Sequence, residues 1–383
     1  MKIVFLSHLD MNLYLFRMPI MQSLVQRGHQ VVALVPRGDY FDQFKEYGIE
    51  AVEYEIDRGS LNPLKELKTI RRIAQKFKEL QPHIIHTFTI KPNIYGSIAA
   101  KMAGIPFVIN SVTGLGSFYI EESTKAKTLR FVIETLNRIA FKIAKKVIFQ
   151  NQDDLNLYLQ KGILKESKAA LIKGSGVDTH FFSQEQVSIQ TREEYIKTLN
   201  LQANSIVILM VARAIVHKGI KEYYLAAKKL KEKNPHWVFL FVGDVDKGNI
   251  SAIQQEFLES ERQVQWLGKR KDIRELIAIC DIFVLPSYRE GIPRTLLEAG
   301  SMSKPIITTN AVGCKEVVDD KKNGFLVPVG NDEALAEKIS ILAEDSALRQ
   351  KFSLASRQKI QEEFSQESIV KLHLEIYQEV YQD

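Results

Sequence analysis

The sequence predicts an α/β protein with two doubly wound domains, each built on a parallel sheet. A chain of 383 residues, 45% hydrophobic and 26% charged, is globular in composition and too long for one ordinary core. Short β-branched segments alternate with helical stretches, which is typical of parallel sheets wrapped by right-handed crossovers. The alternation stops once, between residues 174–178 and about residue 203, and then begins again.

The first half of the chain supplies the strands of the first domain. Its strand candidates are apolar and bounded by turn residues. They are KIVFLS (2–7), HQVVALVP (29–36), HIIHTFT (83–89), PFVINSV (106–112) and KKVIFQN (145–151). The intervening helical stretches end at Gly28 and Gly104, because glycine commonly stops a helix. We expect residues 1–175 to form this domain.

The second half repeats the pattern with shorter strands. The candidates are SIVILMVAR (205–213), WVFLFVGD (237–244), VQWLG (264–268), IFVLPS (282–287), PIITTN (305–310) and GFLVPV (324–329). We expect a second domain over residues 176–365, and a C-terminal helix over 366–383 that packs back on the first domain. Such sheets bind ligands outside the carboxyl ends of their strands, so two of them predict a cleft between domains.

Composition narrows the class of protein. No run of 18 apolar residues and no secretory signal are present, which favours a cytoplasmic protein. Cys280 and Cys314 lie far apart without a Cys-x-x-Cys pattern, so we expect buried thiols rather than a disulfide or zinc site. A net charge of +6 and a pI near 9.0 favour an anionic partner: nucleic acid, anionic lipid or a phosphorylated small molecule.

The segment EGIPRTLLEAG (290–300) carries two carboxylates around a predicted helix start, with Pro293 in the first turn. The backbone N–H groups around Gly291, Ile292 and Thr295 would bind an anion at this helix N-terminus. The two oxygens of the Glu298 carboxylate fit a vicinal diol such as ribose, and Glu290 would bind other ligand hydroxyls. The alternative, two solvated glutamates, stays open at this point.

Two cations follow the first strand of the second domain. Arg213 and Lys218 suit a diphosphate leaving group where no metal is present, although two solvated surface cations would look the same. Asp244 and Asp246 mimic the Asp-x-Asp of metal-dependent transferases, but we interpret them as a loop after a strand. The first strand is not followed by Gly-x-Gly-x-x-Gly, so a dinucleotide site is poorly supported.

Four segments together resemble the family-4 retaining glycosyltransferases of GT-B architecture. They are ARAIVHKG (212–219), LGKRKDI (267–273), CDIFVLPSYREGIPRTLLEAGSMSKPIITTN (280–310) and GCKEVVDDKKNGFLVPVGN (313–331). The first-half segment IIHTFTIKPNIYGSIAAKMAGIPFVINSVTGLGSFYI (84–120) resembles a bacterial branch that elongates undecaprenyl-diphosphate-linked sugars. Within that branch it most resembles the members that add N-acetylgalactosamine α1,3 to lipid-linked diacetylbacillosamine in bacterial protein N-glycosylation.

The resemblance implies two Rossmann-like domains facing a central cleft, with an acceptor-binding first domain and a donor-binding second domain. It implies metal-independent, retaining transfer of N-acetylgalactosamine, or a related hexose, from a UDP-sugar to a polyprenyl-diphosphate-linked sugar. By resemblance, Glu298 binds the ribose and Glu290 the hexose. Arg213 and Lys218 bind the diphosphate, and Arg270 lies near the base. His86 is the candidate for a family histidine, although the His-x-His spacing is absent.

The first domain also contains candidates for contacts with the acceptor and a membrane. Those near predicted strand ends are His8, Lys91 and Gly116. A basic amphipathic helix within 117–147 adds Lys125, Arg130, Lys142 and Lys145, and a second basic run covers 58–78. Its apolar residues at helical spacing are Leu129, Val132, Ile133, Leu136, Ile139, Ala140 and Ile143. We expect peripheral binding to the cytoplasmic face of the inner membrane; a core-facing helix is the alternative.

Two other functions remain open on sequence alone. A UDP-sugar epimerase of the same double-Rossmann plan would need no surface that faces lipid. A noncatalytic protein that binds anionic membranes or nucleic acid would also explain the basic charge. Basic and aromatic residues do not interleave here and no recognition-helix motif is present, so we expect no nucleic-acid partner.

Overall fold

The computed structural model describes residues 1–57, 59–60, 62–202, 204–246, 249 and 251–382, with only the backbone of Ser117. The chain forms two compact units: Met1–Ser175 with Gln366–Asp383, and Gly176–Ser365. Each unit is a parallel sheet covered by helices, so the predicted fold class is confirmed. Asp383 from the predicted C-terminal helix, and Arg58 and Leu61 from the basic run 58–78, lie outside the described residues.

The strands lie close to the predicted segments, and two short ones are added at Glu50–Glu53 and Ala169–Leu171. In chain order the strands are β1 (Lys2–Leu6), β2 (Gln30–Val35), β3 (Glu50–Glu53), β4 (Ile84–Phe88), β5 (Phe107–Val112), β6 (Lys146–Phe149), β7 (Ala169–Leu171), β8 (Val207–Val211), β9 (Val238–Val242), β10 (Val264–Trp266), β11 (Ile282–Leu285), β12 (Ile306–Thr309) and β13 (Gly324–Val327).

Helices fill the connections between strands. They are α1 (Asp10–Gln26), α2 (Pro63–Leu80), α3 (Ile90–Ala103), α4 (Thr124–Ile143), α5 (Gln152–Gln160), α6 (Ile189–Thr198), α7 (Ile220–Lys233), α8 (Gln255–Ser260), α9 (Ile273–Ile279), α10 (Arg294–Ser301), α11 (Asp332–Glu344), α12 (Ser346–Glu363) and α13 (Gln366–Gln382). Short 3-10 helices occupy Phe41–Tyr47, Ser117–Tyr119, Glu166–Lys168, Gln184–Gln186 and Val216–Lys218.

The sheet of the first unit is buried on both faces. Its strand order is β3-β2-β1-β4-β5-β6-β7, and each pair is parallel. Side chains alternate across a strand, so Val4 and Leu6 of β1 pack with α2 to α5, whereas Ile3 and Phe5 pack with α1 and α13. The apolar face of α13, including Tyr377, therefore belongs to the core of this unit.

The sheet of the second unit has the order β10-β9-β8-β11-β12-β13, again with parallel pairs. Strand order reverses between β1 and β4 in the first unit and between β8 and β11 in the second. Loops after two such strands diverge to opposite faces and leave a crevice at the carboxyl edge. These two reversal points are where each unit offers a ligand site.

Two further findings bear on the predictions from composition. Across the residues with described coordinates, no helix combines the length and the hydropathy needed to cross a bilayer. Cys280 and Cys314 are buried free thiols, as expected.

Candidate active site

Strands β8 and β11 bring two predicted site residues into contact at the reversal point of the second unit. Lys218 follows β8, and Glu290 follows β11. The Lys218 Nζ donates to Glu290 Oε1, and the two side chains are only 18% and 13% exposed. This partly buried ion pair joins the two loops at the carboxyl edge of the sheet.

Close backbone contacts fix the loops that carry this pair. Gly219 has φ +76°, and a Cβ there would lie 2.2 Å from the Pro286 carbonyl oxygen. Gly313 has φ +81°, and its Cβ would lie 2.5 Å from the carbonyl oxygen of Glu290. Only glycine tolerates both the conformation and the approach. The Glu290 N–H also donates to the Val312 carbonyl at 2.9 Å, so the loops after β8, β11 and β12 interlock.

Glu298 lies in the second turn of α10 and is 9% exposed. Burial raises the pKa of Glu298, whereas the nearby Arg294 guanidinium lowers it. The Arg294 Nε donates to Glu298 Oε1 at 3.0 Å, across one helical turn. Arg294 was missed in the sequence, although its position four residues before Glu298 was a readable signal.

Helix α10 begins one residue later than predicted. Pro293 has φ −74° and ψ 112°, so it is the extended residue that precedes the helix, and Arg294 is the first helical residue. Gly291 and Ile292 precede this start, and Thr295 lies in the first turn. The Leu296 N–H donates to the Pro293 carbonyl at 3.1 Å, and among the described residues no side chain caps this helix N-terminus. This end of α10 therefore suits an anion.

Arg213, in the loop after β8, is 61% exposed. Its Nη1 donates to Asp246 Oδ2 at 2.7 Å. Asp246, the second carboxylate of the Asp-x-Asp segment, therefore pairs with Arg213, the cation that the resemblance assigns to the diphosphate.

Arg270 lies in the loop after β10 and is 38% exposed. Its Nε donates to Asp272 Oδ1 at 2.8 Å, and Tyr195 donates its hydroxyl to the same carboxylate. The hydrogen bond from Arg270 is the main reason that the pKa of Asp272 is lowered to about 2. The Arg270 guanidinium is therefore held in place by a neighbour that is ionised at neutral pH.

The reversal point of the first unit carries a second pair. His8 follows β1, Thr89 follows β4, and the His8 Nδ1 lies 2.5 Å from Thr89 Oγ1. Thr89 has φ +77°, a conformation that a β-branched residue rarely adopts. Such strain marks functional sites, so Thr89 is a candidate that sequence patterns could not supply.

The structure corrects the expectation that His86 faces a ligand. His86 lies within β4 and is 0% exposed, because α13 covers that face of the sheet. Its Nδ1 lies 2.6 Å from the Tyr377 hydroxyl and its Nε2 lies 2.7 Å from Ser111 Oγ. Burial holds the pKa of His86 well below its ordinary value. His86 is a neutral core residue.

Lys91 and Arg130 bind the protein's own backbone. The Lys91 Nζ lies 2.7 Å from the carbonyl oxygens of Asp57 and Ser60 and pairs with Glu66. The Arg130 Nη2 donates to the Phe118 carbonyl at 2.8 Å. Both side chains are 20% exposed and brace loops, and the expectation that they face an acceptor or headgroup stays a prediction.

Gly116 lies in one of these loops. It has φ +83°, and an added Cβ would lie 2.8 Å from the Phe118 ring, so the position requires glycine.

Helix α4 has both a core face and an exposed apolar face. Ala140 and Phe141 are buried, as the core-facing alternative requires. The exposed side carries Phe131, Val132 and Ile139, which are 70%, 45% and 46% exposed. These three side chains, called here the outer face of α4, are accompanied by exposed Lys125, Lys127 and Lys142, whereas Lys145 packs over Phe107. The predicted apolar stripe is therefore divided between core and surface.

Comparison with known families defines the class of protein. Residues 191–359 match the family described as Glycosyl transferases group 1, and residues 2–151 match Glycosyl transferase 4-like. The chain belongs to this glycosyltransferase family and is an enzyme of that class, which confirms the resemblance. The epimerase and the noncatalytic binding protein are not favoured.

Individual relatives refine this assignment. The chain is 39% identical over 380 residues, 99% of both chains, to the N,N'-diacetylbacillosaminyl-diphospho-undecaprenol alpha-1,3-N-acetylgalactosaminyltransferase of Campylobacter jejuni. It is 30% identical over 292 residues, 76% of this chain and 73% of the relative, to the UDP-Gal:alpha-D-GlcNAc-diphosphoundecaprenol alpha-1,3-galactosyltransferase of Escherichia coli. The Anabaena protein HepE, solved with UDP and glucose, shares the fold with a TM-score of 0.80 at 22% identity, over 99% of this chain and 100% of that chain.

Proposed function

We propose that this glycosyltransferase moves N-acetylgalactosamine, or a closely related hexose, from a UDP-sugar to a polyprenyl-diphosphate-linked sugar. The transfer retains the anomeric configuration and needs no metal. Relatives with 39% and 30% identity are both named for transfer to a diphospho-undecaprenol-linked sugar with an alpha-1,3 linkage. The two names differ in the transferred sugar, so support for the acceptor class is stronger than support for N-acetylgalactosamine.

The observation that carries the donor assignment is the Lys218–Glu290 pair at the reversal point of the second sheet. A ligand in this crevice meets a cation, a carboxylate and the N-terminus of α10 together. A diphosphate binds the cation and the helix end, and sugar hydroxyls bind the carboxylate. A nucleoside diphosphate sugar carries all of these groups.

The remaining residues then take consistent roles along the donor. Glu298 accepts from the ribose hydroxyls, since it is a buried carboxylate whose burial alone is unfavourable. Glu290 binds the hexose, and Arg270, held by Asp272, lies near the uracil. Arg213 and Lys218 bind the diphosphate and replace the positive charge that a metal supplies in other transferases.

The bond changes in this proposal follow from these contacts. The bond between the hexose C1 and the phosphate oxygen breaks, and a bond from C1 to the acceptor hydroxyl oxygen forms on the same face. The acceptor proton passes to the departing phosphate of UDP. Negative charge grows on the diphosphate as the bond breaks, so Arg213 and Lys218 contribute most in the transition state.

The outer face of α4 supports docking on an anionic membrane. Three exposed apolar side chains next to exposed lysines form the pattern of a helix that lies in the plane of a lipid interface. The lipid-linked acceptor is anchored in such a membrane. We therefore place the enzyme peripherally on the cytoplasmic face of the inner membrane, with His8 and Thr89 of the same unit toward the acceptor.

The test is a panel of UDP-sugars incubated with polyprenyl-diphospho-sugar acceptors in nanodiscs, with EDTA present. We expect UDP release that depends on the acceptor and is highest with one donor, and an α-linked product by NMR. Release only after Mg²⁺ or Mn²⁺ is added contradicts metal independence. A β-linked product contradicts retention, and release that does not depend on the acceptor contradicts the acceptor class.

A further inference from the structure

The Asp-x-Asp segment after β9, Asp244 to Asp246, contacts Arg213 and is not part of the site built on Glu290 and Glu298. We propose that Asp246, held by Asn249, is a positioning residue that aligns the Arg213 guanidinium for the donor diphosphate. This inference rests on the proposed function, in which Arg213 binds that diphosphate.

The Asp246 carboxylate accepts hydrogen bonds from two side chains. Its Oδ2 accepts from Arg213 Nη1 at 2.7 Å and from Asn249 Nδ2 at 2.9 Å. The Asn249 amide is fixed in turn, because its Oδ1 accepts from the Ser251 N–H at 3.0 Å. Its backbone N–H donates to the Asp246 carbonyl at 2.9 Å. The Asp246 Oδ2 therefore accepts from two N–H donors.

Backbone hydrogen bonds also join this loop to the one that carries Arg213. The Ala214 N–H donates to the Asp244 carbonyl at 3.0 Å, and the Val216 N–H donates to the Ser251 carbonyl at 2.8 Å. The Ile253 N–H donates to the Ala214 carbonyl at 2.8 Å. These three hydrogen bonds involve residues on both sides of Asp246 and hold the loop that carries it against the loop that carries Arg213.

The contact occupies only part of the guanidinium. Among the residues that the structure describes, Asp246 is the one side chain that accepts a hydrogen bond from Arg213, through Nη1. The side chain is 61% exposed, so a phosphate can reach the guanidinium, a group that binds phosphate in a bidentate manner. An unrestrained arginine would lose rotamer freedom on binding, and Asp246 removes part of that loss before the donor arrives.

The test compares Asp246→Asn with Asp246→Ala. Both variants are uncharged, but only asparagine keeps an oxygen that accepts from Arg213. We expect the alanine variant to show kcat and UDP affinity about fivefold below those of the asparagine variant, the effect of one lost hydrogen bond. In an Arg213→Ala background the two substitutions should be equivalent, because nothing remains to position. Asp42→Ala is the matched control, since Arg37–Asp42 is another exposed pair, and it should leave both quantities unchanged.

Calorimetry with UDP separates this inference from the proposed function. Equal UDP affinity of the two variants overturns the positioning role. If both variants bind UDP more tightly than the wild type and to the same extent, the positioning role is also overturned. Asp246 would then compete with the diphosphate for Arg213. If the wild type binds UDP but transfers to no acceptor, the proposed function fails, and a weaker alanine variant still supports positioning. A wild type that does not bind UDP contradicts both.

Discussion

At the scale of single residues, several acidic side chains of the second unit are paired with cations, and three of these pairs involve residues proposed to bind the donor. Lys218 binds Glu290, Arg294 binds Glu298 and Arg213 binds Asp246. The pairs differ in exposure: Glu298 is the most buried acid, and Arg213 is the most exposed cation. In the proposed function the donor diphosphate binds Lys218 and the exposed part of Arg213, so Asp246 keeps its hydrogen bond to Arg213.

The ribose role of Glu298 is tested by Glu298→Gln together with 2′-deoxy-UDP. We expect the variant to bind UDP about 1.5–3 kcal/mol more weakly, because the diol loses a charged acceptor. The wild type should lose comparable affinity when the 2′-hydroxyl is absent, whereas the variant should hardly distinguish the two nucleotides. Calorimetry measures all four affinities. If the variant discriminates between UDP and 2′-deoxy-UDP as the wild type does, Glu298 does not bind the ribose.

The local sequence pattern identified Glu290 and Lys218 as candidate site residues but did not show that they contact each other. Glu290 and Lys218 each follow a recognisable strand, which the sequence predicts. Their contact depends on β8 and β11 being neighbours, although two strands lie between them in the chain. His86 shows the opposite case, since a histidine near a strand end looks accessible until α13 packs over it. Both the Lys218–Glu290 contact and the burial of His86 depend on packing between elements that are distant in the chain, and a local sequence pattern does not reveal such packing.

At the scale of elements, α4 shows why helical periodicity alone is ambiguous. The sequence shows apolar residues on most sides of the helix, and only tertiary packing separates Ala140, in the core, from Ile139, on the surface. Phe131, the most exposed apolar side chain of this helix, was not in the predicted stripe. Its spacing from Thr135 and Ile139 by four and eight residues would have indicated a shared face.

The role of the outer face of α4 in membrane docking is tested by Phe131→Ser. We expect binding to vesicles of anionic lipid to weaken about tenfold, since one phenyl ring no longer enters the interface. The side chain is 70% exposed, so the free energy of unfolding should not change. Leu354→Ser, on α12 of the second unit and 66% exposed, is the matched control. Equal flotation of the two variants with vesicles excludes this face from docking.

The exposed lysines next to the outer face of α4 are tested separately, through the salt dependence of vesicle binding. Lys125→Glu combined with Lys142→Glu should weaken vesicle binding strongly at low salt and little at high salt, because exposed charges are screened. Phe131→Ser should weaken it at both. A charge reversal without effect at low salt contradicts attraction to anionic headgroups.

At the scale of the whole molecule, the two parallel sheets were predictable because each strand is a short apolar run bounded by turn residues. The strand order was not, since it depends on which crossovers pass to which face. The order nevertheless decides the chemistry, because it places the loops after β8 and β11 side by side. The last helix, α13, also depends on long-range packing, because it completes the core of the unit in which the chain begins.

The docking of α13 buries a histidine whose protonation is expected to lower the stability of the first unit in acid. His373 of this helix is buried beside His86 and Tyr377, with Arg17 as the nearby charge. Burial, and secondarily Arg17, lowers the pKa of His373 to about 3. An imidazole whose pKa is lower in the folded chain than in the unfolded chain binds its proton mainly on unfolding. Its stabilising effect is complete above the unfolded pKa near 6.5 and is lost as the pH falls from there toward 3.

We therefore expect the unfolding midpoint in urea to fall between pH 7 and pH 5, before most carboxylates titrate. For each buried neutral histidine, the folding equilibrium constant falls by up to about tenfold as the pH decreases by one unit in this range. His373→Leu removes one such group, so its midpoint should decline less steeply with acid than that of the wild type, whatever its stability at pH 7. His236→Gln, an exposed histidine of the second unit, is the control and should keep the wild-type slope. A parallel decline in His373→Leu and the wild type means that protonation in the α13 interface does not limit acid stability.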